Sequence, residues 1–412
     1  MKKFLILFLI FFIANVIYGK YNHFITVSKD GSGEFKTVTE ALESLPMFNY
    51  ERVVIYIKNG VYNEKFRITQ DYITLKGESK DSTIIEFDQL RTDWIANKDQ
   101  IGPAVINIHA DDIVLENLTI ENTQPEIGPH AFAVFGTGTR TVIINCNVLS
   151  NGGDTISLWN YKDGMYYHTN CSFKGSVDFV CPRGWCFIKN SKFYELKNTA
   201  SLWHAGGDNI DQKFVLKNCT FDGVKGFKLG RHHYEAQFYF IDCSFSSSLS
   251  DIPIFYVFNK DTSKNRPFNW GERDYFYNCH REGGDYSWFK NNLNTAKGSP
   301  SPNQITAEWT FGGKWNPEDS SKIKVKNYKI YDQYIIFNFN EPITVTGIPI
   351  LKSRSGKLFN YYSGAGSDSI RLNFKGKISK TDLIGFKLDS KGMFSGTKAS
   401  VSKRLVSFSI LK

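Results

Sequence analysis

The chain has 412 residues, of which 41% are hydrophobic and 22% charged, with a formal net charge of +9. These are the proportions of a globular protein rather than of a disordered or membrane-embedded chain, and the length admits two domains or one long solenoid with an appendage. The 34 Phe and 21 Tyr favour β-structure.

Residues 1–19 read as a signal peptide. Lys2 and Lys3 supply the charged start, Phe4 to Ile13 the apolar run and Gly19 a small residue for cleavage. The run is short for a membrane anchor, so export is the preferred reading, to a secreted, periplasmic or cell-surface location. No other segment reads as transmembrane.

From residue 20 to 317 the pattern is β-rich. Phe24 to Val27 is a short strand and Asp30-Gly31-Ser32-Gly33 a turn. Thr37 to Leu45 is a helix, placed to cap the open end of a stack of strands. Strand-like runs then succeed one another: Arg52 to Ile57, Tyr72 to Leu75, Thr83 to Phe87, Val105 to Ile108 and Ile113 to Ile120, continuing through Asn278. Within them a phrase recurs: Asn145-Cys146, Asn170-Cys171, Asn190-Ser191, Asn218-Cys219, Asp242-Cys243, Asn278-Cys279. Self-similarity at a period of roughly 20 to 30 residues marks a solenoid. Strand-like units make it a parallel β-helix, with right-handed connections.

Five of the seven cysteines belong to that phrase. They read as inward-facing, stacked small residues rather than a disulfide framework, despite the expected export. Cys181 and Cys186 are close enough to pair, or are two more packed thiols.

His130, Asp154 and Asp178 are evenly spaced along the chain, at an interval that fits one solenoid period. In a β-helix, residues one period apart stack about 4.8 Å apart. Two carboxylates that close cannot both ionise freely, so one becomes an acid beside a base.

Near Pro317 the character changes. Residues 318–412 alternate in short strands, such as Ile335 to Phe339 and Ser369 to Phe374, separated by Gly364, Gly366 and Gly376. This reads as a C-terminal antiparallel β-sandwich, and the run Asn338 to Gly347 resembles bacterial immunoglobulin-like modules. Residues 320–412 carry 17 Lys and Arg against 5 Asp and Glu, a balance of +12. Without Lys2 and Lys3 the +9 total falls to +7, which leaves −5 for the β-helix. A basic module on an acidic body suits a polyanionic partner, or serves solubility and edge protection.

Four motifs follow in order: Gly60-Val61-Tyr62-Asn63-Glu64, Gly152-Gly153-Asp154-Thr155, Gly175-Ser176-Val177-Asp178-Phe179-Val180 and Leu229-Gly230-Arg231. With them the β-helix, from about Phe24 to about Asn292, resembles the pectin methylesterases. The resemblance implies Asp178 as nucleophile on a galacturonate methyl ester, Asp154 as general acid and then base, and Arg231 as the clamp on Asp178. It implies an acidic polysaccharide, pectin, as substrate. With two carboxylates and a guanidinium filling the roles, no metal, cofactor or nucleic acid is expected, and the protein is expected to be a monomer.

The chain also departs from the family pattern. His130 stands where the family has an oxyanion-stabilising Gln, and Gly153 replaces a second Gln. His233 replaces the Trp of Leu-Gly-Arg-Pro-Trp, and Cys181-Pro182 replaces Phe-Gly. His130 can substitute as an N–H donor. Candidate substrate contacts are His233, Trp203, Trp185 and Arg183, with His204, Trp159 and Tyr161 nearby; large aromatics in such loops also simply pack. Other readings stay open: an esterase for another uronate or acetyl ester, a lyase or hydrolase on the same solenoid, or a catalytically weak pectin-binding protein.

Overall fold

The computed structural model describes residues 24–319 apart from 50–51, 206–208, 235, 259–260, 262–272 and 296–299, together with 323–340 and shorter pieces between 343 and 409. The expected signal peptide and the Gly364 and Gly366 turns lie outside the described residues. Among those residues no helix is long and apolar enough to cross a membrane.

The body is a parallel β-helix of three sheets with ten, nine and eight strands. One coil illustrates the path. Thr141–Ile144 lies in the first sheet, Asn147–Ser150 in the second and Ile156–Leu158 in the third; Met165–Thr169 then returns to the first. Every pairing in these three sheets is parallel; for example Val142 faces Tyr167 and Val148 faces Phe173.

The repeated Asn-Cys phrase is the corner between the first and second sheets. Asn145, Asn170, Asn190, Asn218, Asp242 and Asn278 all take left-handed backbone, with φ between 49° and 56°. Asn and Asp tolerate that region better than other side chains do. Side chains link successive corners: Asn145 Nδ2 donates to Asn117 Oδ1 at 2.7 Å, Asn218 Nδ2 to Asn190 Oδ1 at 2.7 Å and Asn278 Nδ2 to Asp242 Oδ1 at 2.8 Å. The cysteine that comes next turns inward. All seven cysteines are free and buried, including Cys181 and Cys186, as the stacked-thiol reading expects.

Asn117 explains a difference from the sequence reading. The run Ile113 to Ile120 is two strands, Val114–Glu116 and Thr119–Asn122, because a corner at Asn117 divides it. Here Leu118 stands in the inward position that cysteine holds elsewhere.

The helix Val38–Glu43 closes one end, capped by Thr37 in a capping box with Glu40. Glu64, the last residue of the first family-like motif, accepts from the Val38 and Thr39 amides at 2.8 and 2.9 Å. That carboxylate therefore anchors the cap at a helix N-terminus.

Coil length varies widely. In the first sheet Met165 pairs with Trp185, whereas Thr74 pairs with Val114, twice as far along the chain. The longer excursion carries the helix Arg91–Ala96 towards the third sheet.

After the last coil, residues 292–295 and 300–319 cover the first sheet. Leu293, Ile305, Phe311 and Trp315 are buried against Trp185, Phe187, Val215 and Tyr239. Beyond them the strands are antiparallel. Val325–Ile330, Tyr334–Phe339, Ser369–Phe374 and Phe359–Ser363 form one four-stranded sheet. Ile335, Phe337, Ile370 and Leu372 build its core.

Candidate active site

The third sheet gathers the chemistry. Asp154 and Asp178 lie just before two of its strands, Ile156–Leu158 and Val180–Pro182. The strands pair Ile156 with Val180, so the two aspartates occupy equivalent places on adjacent coils. Both take left-handed backbone, φ 57° and 59°. Val177 does so too, at 44°, which is costly for a β-branched side chain. Backbone bonds hold this conformation: Asp154 N donates to Val177 O at 3.1 Å and Asp178 N to Ala200 O at 2.6 Å.

Arg231 comes from Lys228–His232, two coils further on. Its Nε donates to Asp178 Oδ1 at 2.8 Å and its Nη2 to Oδ2 at 2.5 Å. This is a bidentate clamp on a carboxylate that is almost wholly buried. Burial raises both acids. For Asp178 the Arg231 guanidinium pulls the other way and limits the rise. Asp154 has no such clamp; burial and then the Asp178 charge push it up to about 8. Asp178 therefore ionises first, and near neutrality Asp154 keeps its proton. An ionised carboxylate lies beside a neutral carboxylic acid.

His130 is near but not in the expected stack. Strand Phe132–Gly136 sets Val134 against Ile156, a shorter step than the one from His130 to Asp154, and His130 bridges Gly153 instead of Asp154. The even spacing in the sequence is a coincidence of unequal coils. Its ring still approaches the acid, with Nε2 3.6 Å from Asp154 Oδ2. Burial, then Arg91 and Arg231, lower its pKa, so its neutral form is favoured.

Trp203, on Ala200–His204, lies beneath the clamp, with the Arg231 guanidinium 5.4 Å from its ring. His233 packs edge-on to Trp203 at 4.4 Å, and its Nδ1 is 2.6 Å from Val257 O. Arg183 leaves the end of the Asp178 coil and stacks on Trp159 at 4.0 Å and Tyr161 at 4.7 Å. His204 is fully buried, bound to Gly184 O.

Trp185 corrects the sequence reading. It lies on Trp185–Lys189 of the first sheet and is buried in one cluster with Leu293, Ile305, Phe311 and Trp315. Its indole donates to Asp211 O at 2.8 Å. The side chain packs as a core aromatic, away from the two aspartates, because it falls in the first-sheet strand of its coil.

Sequence reasoning also missed Arg91. It begins the helix Arg91–Ala96, its amide donates to His130 O at 2.9 Å, and its guanidinium is about 6 Å from the rings of Phe132 and Trp159. Nothing local marks it, because the long excursion between Thr74 and Val114 delivers it.

The family model described as pectinesterase matches residues 24–235, just over half of the chain. The protein belongs to the pectinesterase family. A probable pectinesterase/pectinesterase inhibitor from Arabidopsis thaliana is 29% identical over 217 residues, 49% of this chain and 36% of the relative. A pectinesterase from Petunia integrifolia is 29% identical over 206 residues, 47% and 52% of the two chains. The chain thus spans about a third to a half of these relatives. Among solved structures, pectin methylesterase from Aspergillus niger superposes with a TM-score of 0.56 at 20% identity, covering 72% of this chain and 95% of that one. The Erwinia chrysanthemi enzyme gives 0.51 at 24%, covering 65% and 91%. At these identities the superpositions establish a shared β-helix fold.

The pectinesterase resemblance assigned Asp154, Asp178 and Arg231 from motifs well separated in the chain, and the fold brings these three together. Gly152 also has a structural reason. A Cβ there would lie 2.3 Å from Pro129 O, so the preceding coil could not approach.

Proposed function

We propose that this member of the family is a pectin methylesterase, removing methyl groups from the C6 esters of galacturonate in homogalacturonan. One observation carries the reading: Asp178 is clamped through both oxygens by Arg231 while Asp154, on the preceding coil, is held protonated.

In the first half-reaction an Asp178 oxygen attacks the ester carbonyl carbon. The bond from that carbon to the methoxy oxygen breaks, and Asp154 gives its proton to the departing oxygen, releasing methanol. The galacturonate is left as an anhydride with Asp178. In the second half-reaction Asp154, now a carboxylate, takes a proton from water as the water attacks the galacturonyl carbonyl. The product acid leaves and Asp178 is restored. The sum is ester plus water to acid plus methanol.

The oxyanion formed on the way needs donors. The Gly153 amide is committed to Pro129 O and the Asp154 amide to Val177 O. His233 presents Nδ1 to a carbonyl, which leaves Nε2 without a proton in the neutral ring. These facts support His130 as the side-chain donor. The same changed positions favour one second reading, an esterase for another uronate ester or an acetyl ester.

The rest of the chain fits an exported enzyme, with residues 1–19 as signal peptide, 20–317 as the catalytic β-helix and 318–412 as an immunoglobulin-like β-sandwich. We assign it no metal or cofactor and a monomeric state. The test is product analysis on defined pectins. Methanol supports the reading and acetate supports the second one. Unsaturated ends, new reducing ends, or binding without any product would each overturn both.

A further inference from the structure

Behind the Asp178 loop lies a carboxyl that this mechanism does not use. Glu195 ends the strand Lys192–Glu195 of the second sheet and pairs with Gly175 on the coil before it. It is fully buried. Its Oε1 accepts from Lys197 N and from the Thr199 hydroxyl, both at 3.1 Å, while Oε2 is buried with no hydrogen-bond partner among the described residues. The following coil makes room for it: a Cβ on Gly223 would lie 2.6 Å from Glu195 O and 2.9 Å from Glu195 Cβ. Burial, with the Asp178 charge adding to it, pushes Glu195 up to about 8. An apolar side chain would avoid the cost of sinking this carboxyl.

The Thr199 hydroxyl connects the carboxyl to the site. While it donates to Glu195, its oxygen accepts from Val177 N at 3.1 Å. Val177 takes left-handed backbone at φ 44°, and its carbonyl accepts from Asp154 N at 3.1 Å. Val177 is thus held at its amide by Thr199 and at its carbonyl by Asp154, and Asp178 is the next residue in the chain. A β-branched residue leaves this conformation unless its surroundings tie it in place.

We propose that Glu195 is a positioning residue for the ester hydrolysis: its carboxyl orients the Thr199 hydroxyl, and Thr199 fixes Val177 so that Asp178 and Asp154 keep their separation. A misplacement of roughly 1 Å between reacting groups costs about a hundredfold in rate. The inference rests on the reading of Asp178 and Asp154 as an esterase pair.

The test measures kcat and KM on a methyl-esterified galacturonate hexamer, together with the melting temperature, for the full chain and for Thr199→Val, Thr199→Ser, Glu195→Leu and Glu195→Gln. Thr199→Val and Glu195→Leu should each lower kcat about a hundredfold with KM little changed. Thr199→Ser keeps the hydroxyl and Glu195→Gln keeps the acceptor, so both should recover most of that loss. Variants that melt lower yet turn over as fast as the full chain would overturn the proposal, as would a Ser variant as slow as the Val variant. If Glu195→Leu does not fold, the two Thr199 variants decide. A second measurement needs no turnover: carbon-13 titration of the aspartate carboxyls in labelled protein, assigned with Asp154→Asn and Asp178→Asn. Thr199→Val should shift the titration of the pair, because their repulsion depends on their separation, and Thr199→Ser should not. That result supports the positioning role even if no ester is hydrolysed, so the two readings fail separately. Identical titrations in the full chain and both Thr199 variants would overturn it.

Discussion

Asp154 sets the pH behaviour at the scale of single residues. Asp178 must be ionised and Asp154 protonated for the first half-reaction, so activity should fall as pH rises past about 8. A neutral His130 does not supply that limb. His130→Ala should lower turnover by about a hundredfold as the loss of one oxyanion donor, while leaving the alkaline limb of the pH–rate profile where it is. The same shift makes a stability prediction. A carboxyl whose folded pKa is raised binds its proton more tightly in the folded state. The stability it contributes is complete below the unfolded value of 3.8 and is lost as pH rises towards about 8. Asp154→Asn should therefore raise the melting temperature more at pH 8 than at pH 4, while reducing ester hydrolysis severely. Asp178→Asn removes the anionic nucleophile and should reduce hydrolysis by several orders of magnitude with the circular dichroism spectrum unchanged.

Corners dominate at the scale of elements. A coil turns from first to second sheet on an Asn in left-handed backbone whose amide bonds to the corner before it. Asn145→Ala loses both features and should cost about 2 kcal/mol, roughly half of it conformational. Asn145→Gly keeps the backbone freedom and should cost about half as much. Equal denaturation midpoints for the two variants would assign the whole effect to the lost amide bond. These corners are legible as an Asn-Cys phrase because the constraint is local, one dihedral angle and one inward position. The left-handed Val177 before Asp178 is not legible. Nothing in Val-Asp-Phe predicts it, and the bonds that impose it run to other coils.

The whole molecule joins an acidic β-helix to a basic C-terminal part through the segment 300–319, which covers the first sheet. Glu318 lies near the end of that segment, accepting from the Tyr167 hydroxyl at 2.8 Å and pairing with Lys189. A chain ending after Asp319 should keep its activity on short soluble oligomers. With the +12 segment gone, it should lose salt-sensitive retention on insoluble, de-esterified pectin. A chain ending at residue 291 should instead melt several degrees lower, because Phe311, Trp315 and their neighbours would no longer cover the aromatic face of the first sheet. Retention of the shorter chain on pectin, measured by elution with salt, would assign binding to the β-helix itself.

Repetition and residue type carried the β-helix, its buried cysteines and its corner asparagines, because each coil meets the same local demands. Motif resemblance picked out Asp154, Asp178 and Arg231, whose order along the chain survives changes in coil length. Only the tertiary structure decided which side chains share the site. Each coil has its own length, and the step from Thr74 to Val114 is double that from Met165 to Trp185, so a spacing along the chain does not measure a stack. That is why His130 falls beside Gly153, why Trp185 is buried with Phe311 and Trp315, and why Arg91 reaches a site whose aspartates come much later in the chain.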